Sequence, residues 1–263
     1  MRGLGLLVYG VEGIGKTSFG LQFPGPLKCI SVNETGFEDL ADVGEVPSNC
    51  TNVYVDSFPD FITELRQSEE KTVIVDSLSG VAQLMKDDII EDVYAGDQNP
   101  LKSFGSFSEG WRVHGPIWAE KIENAGTVLR NKGTNIIFIG HTKIEKSKNI
   151  ISADYQSAGL NMESWPRDVL TKWAQAVLFM TMDFQLRITK SWKGTPTEAK
   201  VTGDLEDEVD RIMYTTKHPS HSAKNRLKLP PFIQMGDSAE AAYSNFVEKL
   251  PQNFQEELKP VLD

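Results

Sequence analysis

The chain has 263 residues, 40% hydrophobic and 24% charged. That is enough for a sizeable core, and it excludes disordered, collagen-like and disulfide-stapled architectures. With 27 Lys and Arg against 37 Asp and Glu, the formal net charge is −10. This balance excludes a constitutive electrostatic DNA coat and leaves open conditional binding through a local basic patch.

The first apolar run, Leu4–Tyr9, reads as a buried strand and is too short for a secretory core. No later segment approaches the roughly 20 apolar residues that span a bilayer. The two cysteines, Cys29 and Cys50, fit neither a metal site nor a CxxC motif. Together these features lead us to expect a cytoplasmic protein with no membrane partner.

After that strand comes Gly10-Val11-Glu12-Gly13-Ile14-Gly15-Lys16-Thr17, which matches G-x-x-x-x-G-K-[ST] at every fixed position. Glycines let backbone N–H groups wrap a phosphate, and the following helix adds partial positive charge. Residues Gly10, Val11, Glu12, Gly13, Ile14, Gly15, Lys16, Thr17 and Ser18 are thus expected to cradle ATP. Lys16 would reach the β- and γ-phosphates, and the Thr17 hydroxyl would ligate Mg²⁺.

A second strand, Lys28–Val32, leads into Asn33-Glu34-Thr35-Gly36. Glu34 then stands at a strand's carboxyl end, where a hydrolase needs a base or orienting group for water. A surface carboxylate in a turn is the alternative, and Glu12 competes for the catalytic role. Strand 52–55 follows, then Thr72-Val73-Ile74-Val75-Asp76-Ser77. There a β-branched strand ends in a carboxylate suited to hold Mg²⁺ through water.

A helix is expected over 79–94, and another from Gly115-Pro116, as N-cap and N1, to about Asn131. Its stripe Trp118, Ile122, Ala125 and Leu129 has core spacing. Strand 135–140 ends in His141, placed to sense a γ-phosphate or simply to cap the strand. From Thr142 to Pro166 the pattern reads as a long polar connector without strong structure of its own. Loops of that length usually have a function. Lys143, Lys146 and Lys148 could follow a nucleic-acid backbone there and Tyr155 could stack a base, although Glu145, Asp154 and Glu163 dilute the charge.

Strand 176–181 is followed by alternating segments at 184–190 and 211–216, expected as antiparallel hairpins on the sheet edge. The acidic run 204–208 reads as a solvated loop. From Tyr214 to Leu229 there are four Lys and Arg and no acid. Lys224 and Arg226, two apart in extended chain, would point to one side and could serve a neighbouring subunit's nucleotide. An exposed basic loop is the alternative. A last helix is expected from residue 237 or 238 to about 249.

Strands buried on both faces and alternating with helices predict an α/β fold, with a mostly parallel sheet and antiparallel edge strands near the C-terminus. One domain is expected, with its core over 3–182, edge hairpins over 183–232 and the C-terminal helix over 237–250.

Taken together, the phosphate loop, the glutamate after the second strand, V-I-V-D-S, the His-ended strand and late K-N-R resemble the RecA-like ATPases. The K-x-R element is like that of DnaB-type hexameric helicases. Trp173-Ala174-Gln175-Ala176-Val177-Leu178 and Ala223-Lys224-Asn225-Arg226-Leu227-Lys228-Leu229-Pro230 resemble the small phage nucleotide-binding proteins of the Sak recombination type. The similarity spans roughly residues 3 to 232. The N-E-T-G context of Glu34 departs from the aspartate-glutamate pair and glycines expected there.

The resemblance implies a DNA-stimulated ATPase using ATP and Mg²⁺ in the host cytoplasm. It would act on single-stranded DNA in recombination, annealing or replication. It would assemble as a homo-oligomer with nucleotide at the subunit interface, with a single-strand-binding protein as a possible partner. The competing readings are a minimal hexameric helicase motor and a nucleotide-dependent switch that hydrolyses slowly or not at all.

Overall fold

The computed structural model describes residues 1–97, 109–147, 155–182, 186–190, 196–201 and 210–258. Strands β1 (Gly5–Gly10), β2 (Leu27–Ser31), β3 (Cys50–Tyr54), β4 (Thr72–Asp76), β5 (Asn135–Ser147) and β7 (Ala176–Met182) lie parallel in the order β7-β1-β5-β4-β2-β3. β10 (Arg211–Tyr214) and β12 (Phe232–Gln234) extend the β7 edge antiparallel, and the short β11 (Lys224–Asn225) also pairs with β7. The fold is α/β, with helices on both faces.

Each central strand sends alternate side chains into two separate cores. Leu7 and Tyr9 of β1 enter one core with Ile136, Phe138, Val73 and Val75. Leu6 and Val8 enter the other with Ile137, Ile139 and Ile74. Burial on both faces is why these strands read as unbroken apolar runs rather than as alternation.

The first core is covered by α3 (Phe58–Arg66), α4 (Leu78–Tyr94), α6 (Asn124–Asn131) and α7 (Ser164–Trp173). The second is covered by α1 (Lys16–Gly20), α8 (Ala239–Glu248) and α9 (Gln252–Leu258), while α2 (Gly36–Asp42) packs at its margin. α1 has only five residues, too few to be stable alone. It is held through Phe19, whose ring meets Phe23 and Phe246 edge-on, each at 5.5 Å between centroids. Ser238 caps α8 by accepting the Ala241 N–H at 3.1 Å.

Four expectations need correction. The helix expected to start at Gly115-Pro116 begins earlier, as α5 (Glu109–Ile117), and runs through Pro116. Proline cannot donate to the carbonyl four residues back, and a π-helical turn at Trp118–Glu123 follows directly before α6. The stripe Trp118, Ile122, Ala125 and Leu129 is buried core.

The 142–166 connector does have structure of its own. β5 continues to Ser147 and pairs antiparallel with β6 (Tyr155–Leu160), and α7 starts at Ser164. The hairpin is polar and its central Ile144 is exposed, so it lacks the apolar alternation that marks a strand.

The segment ending at Lys190 does not join the main sheet. β8 (Leu186–Lys190) and β9 (Pro196–Val201) form a separate two-stranded sheet. The acidic run 204–208 and Phe184 lie outside the described residues. Finally, α9 was not expected.

Among the described residues no helix is long and apolar enough to cross a membrane. If α8 holds α1 in place, Phe246→Ala will cost about 3–5 kcal/mol in urea unfolding. It will also weaken nucleotide binding, because the phosphate-loop helix loses its support.

Candidate active site

β1 is buried along its whole length and flanked by β5 and β7, so it can present polar groups only beyond its carboxyl end. The chain turns there at Gly10, where a Cβ would lie 2.2 Å from the Met180 carbonyl oxygen. Gly15, at φ 92, sets the left-handed step into α1. Ile14 is buried and anchors the loop, while Val11, Glu12 and Gly13 face solvent.

Lys16 is buried, and its ammonium donates to the carbonyls of Val11 at 2.9 Å and Gly10 at 3.3 Å. Burial pulls its pKa below the ordinary lysine value, against the opposing charges of Asp76, Glu34 and Glu12. The ammonium therefore rests on neutral oxygens of the phosphate loop.

Thr17 Oγ1 donates to Asp76 Oδ2 at 2.6 Å, joining α1 to the end of β4. Burial holds the Asp76 carboxyl above the usual carboxylate range; the Thr17 bond and the Lys16 charge pull the other way. A desolvated carboxylate beside a hydroxyl is a set of hard oxygen donors that fits Mg²⁺, which typically takes one or two protein oxygens and completes its shell with phosphate and water. Among the described residues no group of three His, Cys, Asp or Glu forms a protein cage for a metal.

Glu34 follows β2, past Asn33 at φ 55. Ser77 Oγ donates to its Oε1 at 2.8 Å, and His141 Nε2 lies 2.6 Å from the same oxygen. His141 is opposite Gly10 in the β1–β5 register. β5 lies between β1 and β4, so it carries this histidine in between the phosphate loop and Asp76. A Cβ on Gly36 would lie 3.6 Å from Thr17 Oγ1, so the turn after Glu34 passes over the same corner. Among the described residues His141 Nδ1 and Thr142 Oγ1 are buried with no hydrogen-bond partner. Lys16, Thr17, Glu34, Asp76 and His141 thus converge from four neighbouring strands, and His141 lies within β5 rather than at its end as expected.

A family model described as an AAA domain matches residues 2–227. The chain belongs to that AAA-domain family. Its phosphate loop marks it as a P-loop nucleotide-binding ATPase domain. In part it is similar in structure to the flagellar accessory protein FlaH from Methanocaldococcus jannaschii. Identity is 8%, the match covers 89% of this chain and 84% of that one, and the TM-score is 0.47. No curated protein matches the sequence.

In this AAA-family chain, Lys224 and Arg226 are not brought to the phosphate loop. β11 pairs with the start of β7, at Val177 and Ala176, and Ala176 is level with Leu6. That is four residues, or about 13 Å, from the Gly10 end. Their surroundings also differ. The Lys224 ammonium donates to the carbonyls of Thr171, Lys172 and Ala174, closing the C-terminus of α7, while Arg226 is exposed. Burial and the Arg226 charge bring the Lys224 pKa down to about 8.

Lys143 donates to the Met162 carbonyl at 2.9 Å and pairs with Glu145 at 3.1 Å. Glu145 also takes Arg167 at 2.6 Å. Lys146 is exposed and Tyr155 half-buried; Lys148 lies outside the described residues.

One site residue was not anticipated. Arg211, at the start of β10, is held by the Gly236 carbonyl through Nε at 3.0 Å and Nη2 at 2.7 Å. Its Nη1 lies 3.7 Å from where a Cβ on Gly15 would be. With Gly15, Ser18, Glu45, Asp237 and Glu240 it lines a cavity of about 570 Å³ beside the phosphate loop. An arginine beginning an alternating strand gave no sequence signal, because its position depends on β10 pairing with the end of β7.

Asp76 binds its proton more tightly folded than unfolded. The stability this proton contributes is complete below the unfolded pKa of 3.8 and is lost as pH rises through the raised folded value. Asp76→Asn, without nucleotide or metal, will therefore be more stable than the parent above the usual carboxylate range. The gap will close as pH falls into that range, as urea unfolding across pH will show.

Proposed function

We propose that this chain is a Mg²⁺-dependent ATPase that works on single-stranded DNA as an oligomer, in recombination, annealing or replication. The observation that carries the hydrolytic part is the environment of Glu34. Both of its donors, Ser77 and His141, fall on Oε1, which fixes the carboxylate and leaves Oε2 for the attacking water.

On nucleotide binding, Lys16 exchanges the carbonyls of Gly10 and Val11 for phosphate oxygens, a stronger charge-assisted set. Magnesium held by Thr17 and, through water, by Asp76 would neutralise charge on the β- and γ-phosphates. Glu34 orients water and accepts its proton. His141 spans Glu34 and β5, so loss of the γ-phosphate is passed to the hairpin that β5 enters. The 570 Å³ cavity takes the nucleoside, with Arg211 on its wall.

Single strands are supported by the acid-free basic stretch from Tyr214 to Leu229 in a chain of net charge −10. Arg226 faces outward, far from its own phosphate loop, which suits action on a neighbouring subunit. Such an assembly would act in the cytoplasm.

Glu34→Gln will retain ATP binding, followed with a fluorescent analogue, and lose about a hundredfold or more of turnover. Arg211→Ala will weaken ATP binding about tenfold and leave inorganic triphosphate binding less affected, a loss within that of a charged hydrogen bond. Turnover that rises on adding oligothymidylate supports the DNA reading. Turnover indifferent to both Glu34→Gln and DNA would favour a nucleotide-dependent switch.

A further inference from the structure

A row of aromatic rings crosses the sheet in register. Tyr9 on β1 is opposite Phe179 on β7, Phe179 is opposite Tyr214 on β10, and Tyr214 is opposite Phe232 on β12. Directly opposed residues share one face of a sheet. Tyr9 and Phe179 are 5.0 Å apart between centroids, and Phe179 and Tyr214 stack at 6.4 Å.

The inner end of this row is core. At its outer end the cover is the 215–223 turn, whose His221 lies on Tyr214 at 4.3 Å and on Phe179 at 5.2 Å. The turn is fixed in place. Tyr9 Oη donates to the Ser222 carbonyl and accepts the Ser222 N–H at 3.1 Å, and the Ala158 N–H of β6 donates to the Ser220 carbonyl at 2.8 Å.

Between turn and edge strand lies an open cavity of about 230 Å³, lined by Tyr214, Lys217, His218, His221, Pro231 and Phe232. Phe232 is 49% exposed, although it continues a row whose other members are buried or half-buried. The space is smaller than a typical small-molecule site and suits one flat ring slid against aromatic faces. Exposed Lys217 stands at its rim, and exposed Arg226 and Lys228 belong to the same acid-free stretch. Flat rings for bases with cations for phosphates is the composition of a single-strand platform.

We infer that this shelf, centred on Phe232, Tyr214, His218 and Lys217, stacks a base of single-stranded nucleic acid and holds the adjoining phosphate. The inference rests on the proposed single-strand reading and gives it a site distinct from the Lys143–Tyr155 hairpin first expected. The inner end of the row is Tyr9, the residue before Gly10, so the shelf and the phosphate loop belong to one sheet.

The test is fluorescence anisotropy of labelled oligothymidylate with the full chain and a non-hydrolysable ATP analogue. Phe232→Ala will weaken binding at least about fivefold, and Phe232→Trp will restore it. Lys217→Gln will reduce the salt dependence of binding by about one phosphate contact. All three variants should bind nucleotide as the parent does, which reports an intact fold. If the parent binds the oligonucleotide and Phe232→Ala binds equally well, the shelf is not the site and the single-strand reading stands. If the parent binds no oligonucleotide, both fail. Unchanged DNA binding with altered self-association in Phe232→Ala, measured by sedimentation, would overturn the inference and make the shelf an interface between copies of the chain.

Discussion

The 2.6 Å hydrogen bond between Thr17 and Asp76 ties together two segments that are 59 residues apart. It can form only because the sheet brings the ends of β1 and β4 to one level while β5 separates them. A buried carboxylate with a neutral donor is a poor resting place for charge, and burial accordingly favours the protonated form of Asp76. Lys16 is in the converse position, desolvated and resting on carbonyl oxygens. On the proposed reading, a cation and an anionic ligand entering together would balance both groups. On that reading, this would be the electrostatic basis for selecting a magnesium-bound nucleotide.

The rest of the molecule keeps this corner rigid. Two cores press on the sheet from opposite faces, and the five-residue helix that follows the phosphate loop is braced by Phe19 against Phe246. Glu34 is held by donors from two other strands, Ser77 just after β4 and His141 within β5. The aromatic row carries the order of β1 outward to the β12 edge, where the outermost ring remains open. The proposed nucleotide corner and the proposed shelf are therefore joined through one sheet.

How much of this could be read in advance depended on whether the signal was local. The phosphate loop was legible because each glycine and Lys16-Thr17 is fixed by its own immediate chemistry. The strands leading to Asp76 and His141 were legible because burial on both faces leaves a continuous apolar run, although β5 runs on past His141 to Ser147. Contacts set by register were not legible: Glu34 with His141, or Arg211 beside Gly15, arise from pairings between distant strands. The β5–β6 hairpin was hidden by its polarity, since its stability comes from a ladder and from the Lys143–Glu145–Arg167 contacts. Pro116 misled because the helix absorbs it with a π-helical turn, and Lys224 because a helix C-terminus competes for its ammonium.

The central claim is that Thr17 and Asp76 form a magnesium site whose occupancy governs nucleotide affinity. The most direct measurement is titration of a fluorescent ATP analogue with and without magnesium, in the parent and in Thr17→Val, which removes the hydroxyl at nearly constant volume. The account predicts that magnesium tightens binding by the parent about tenfold or more, on the scale of one charged hydrogen bond, and that Thr17→Val loses this gain. A Thr17→Val chain that keeps the full magnesium dependence would contradict it.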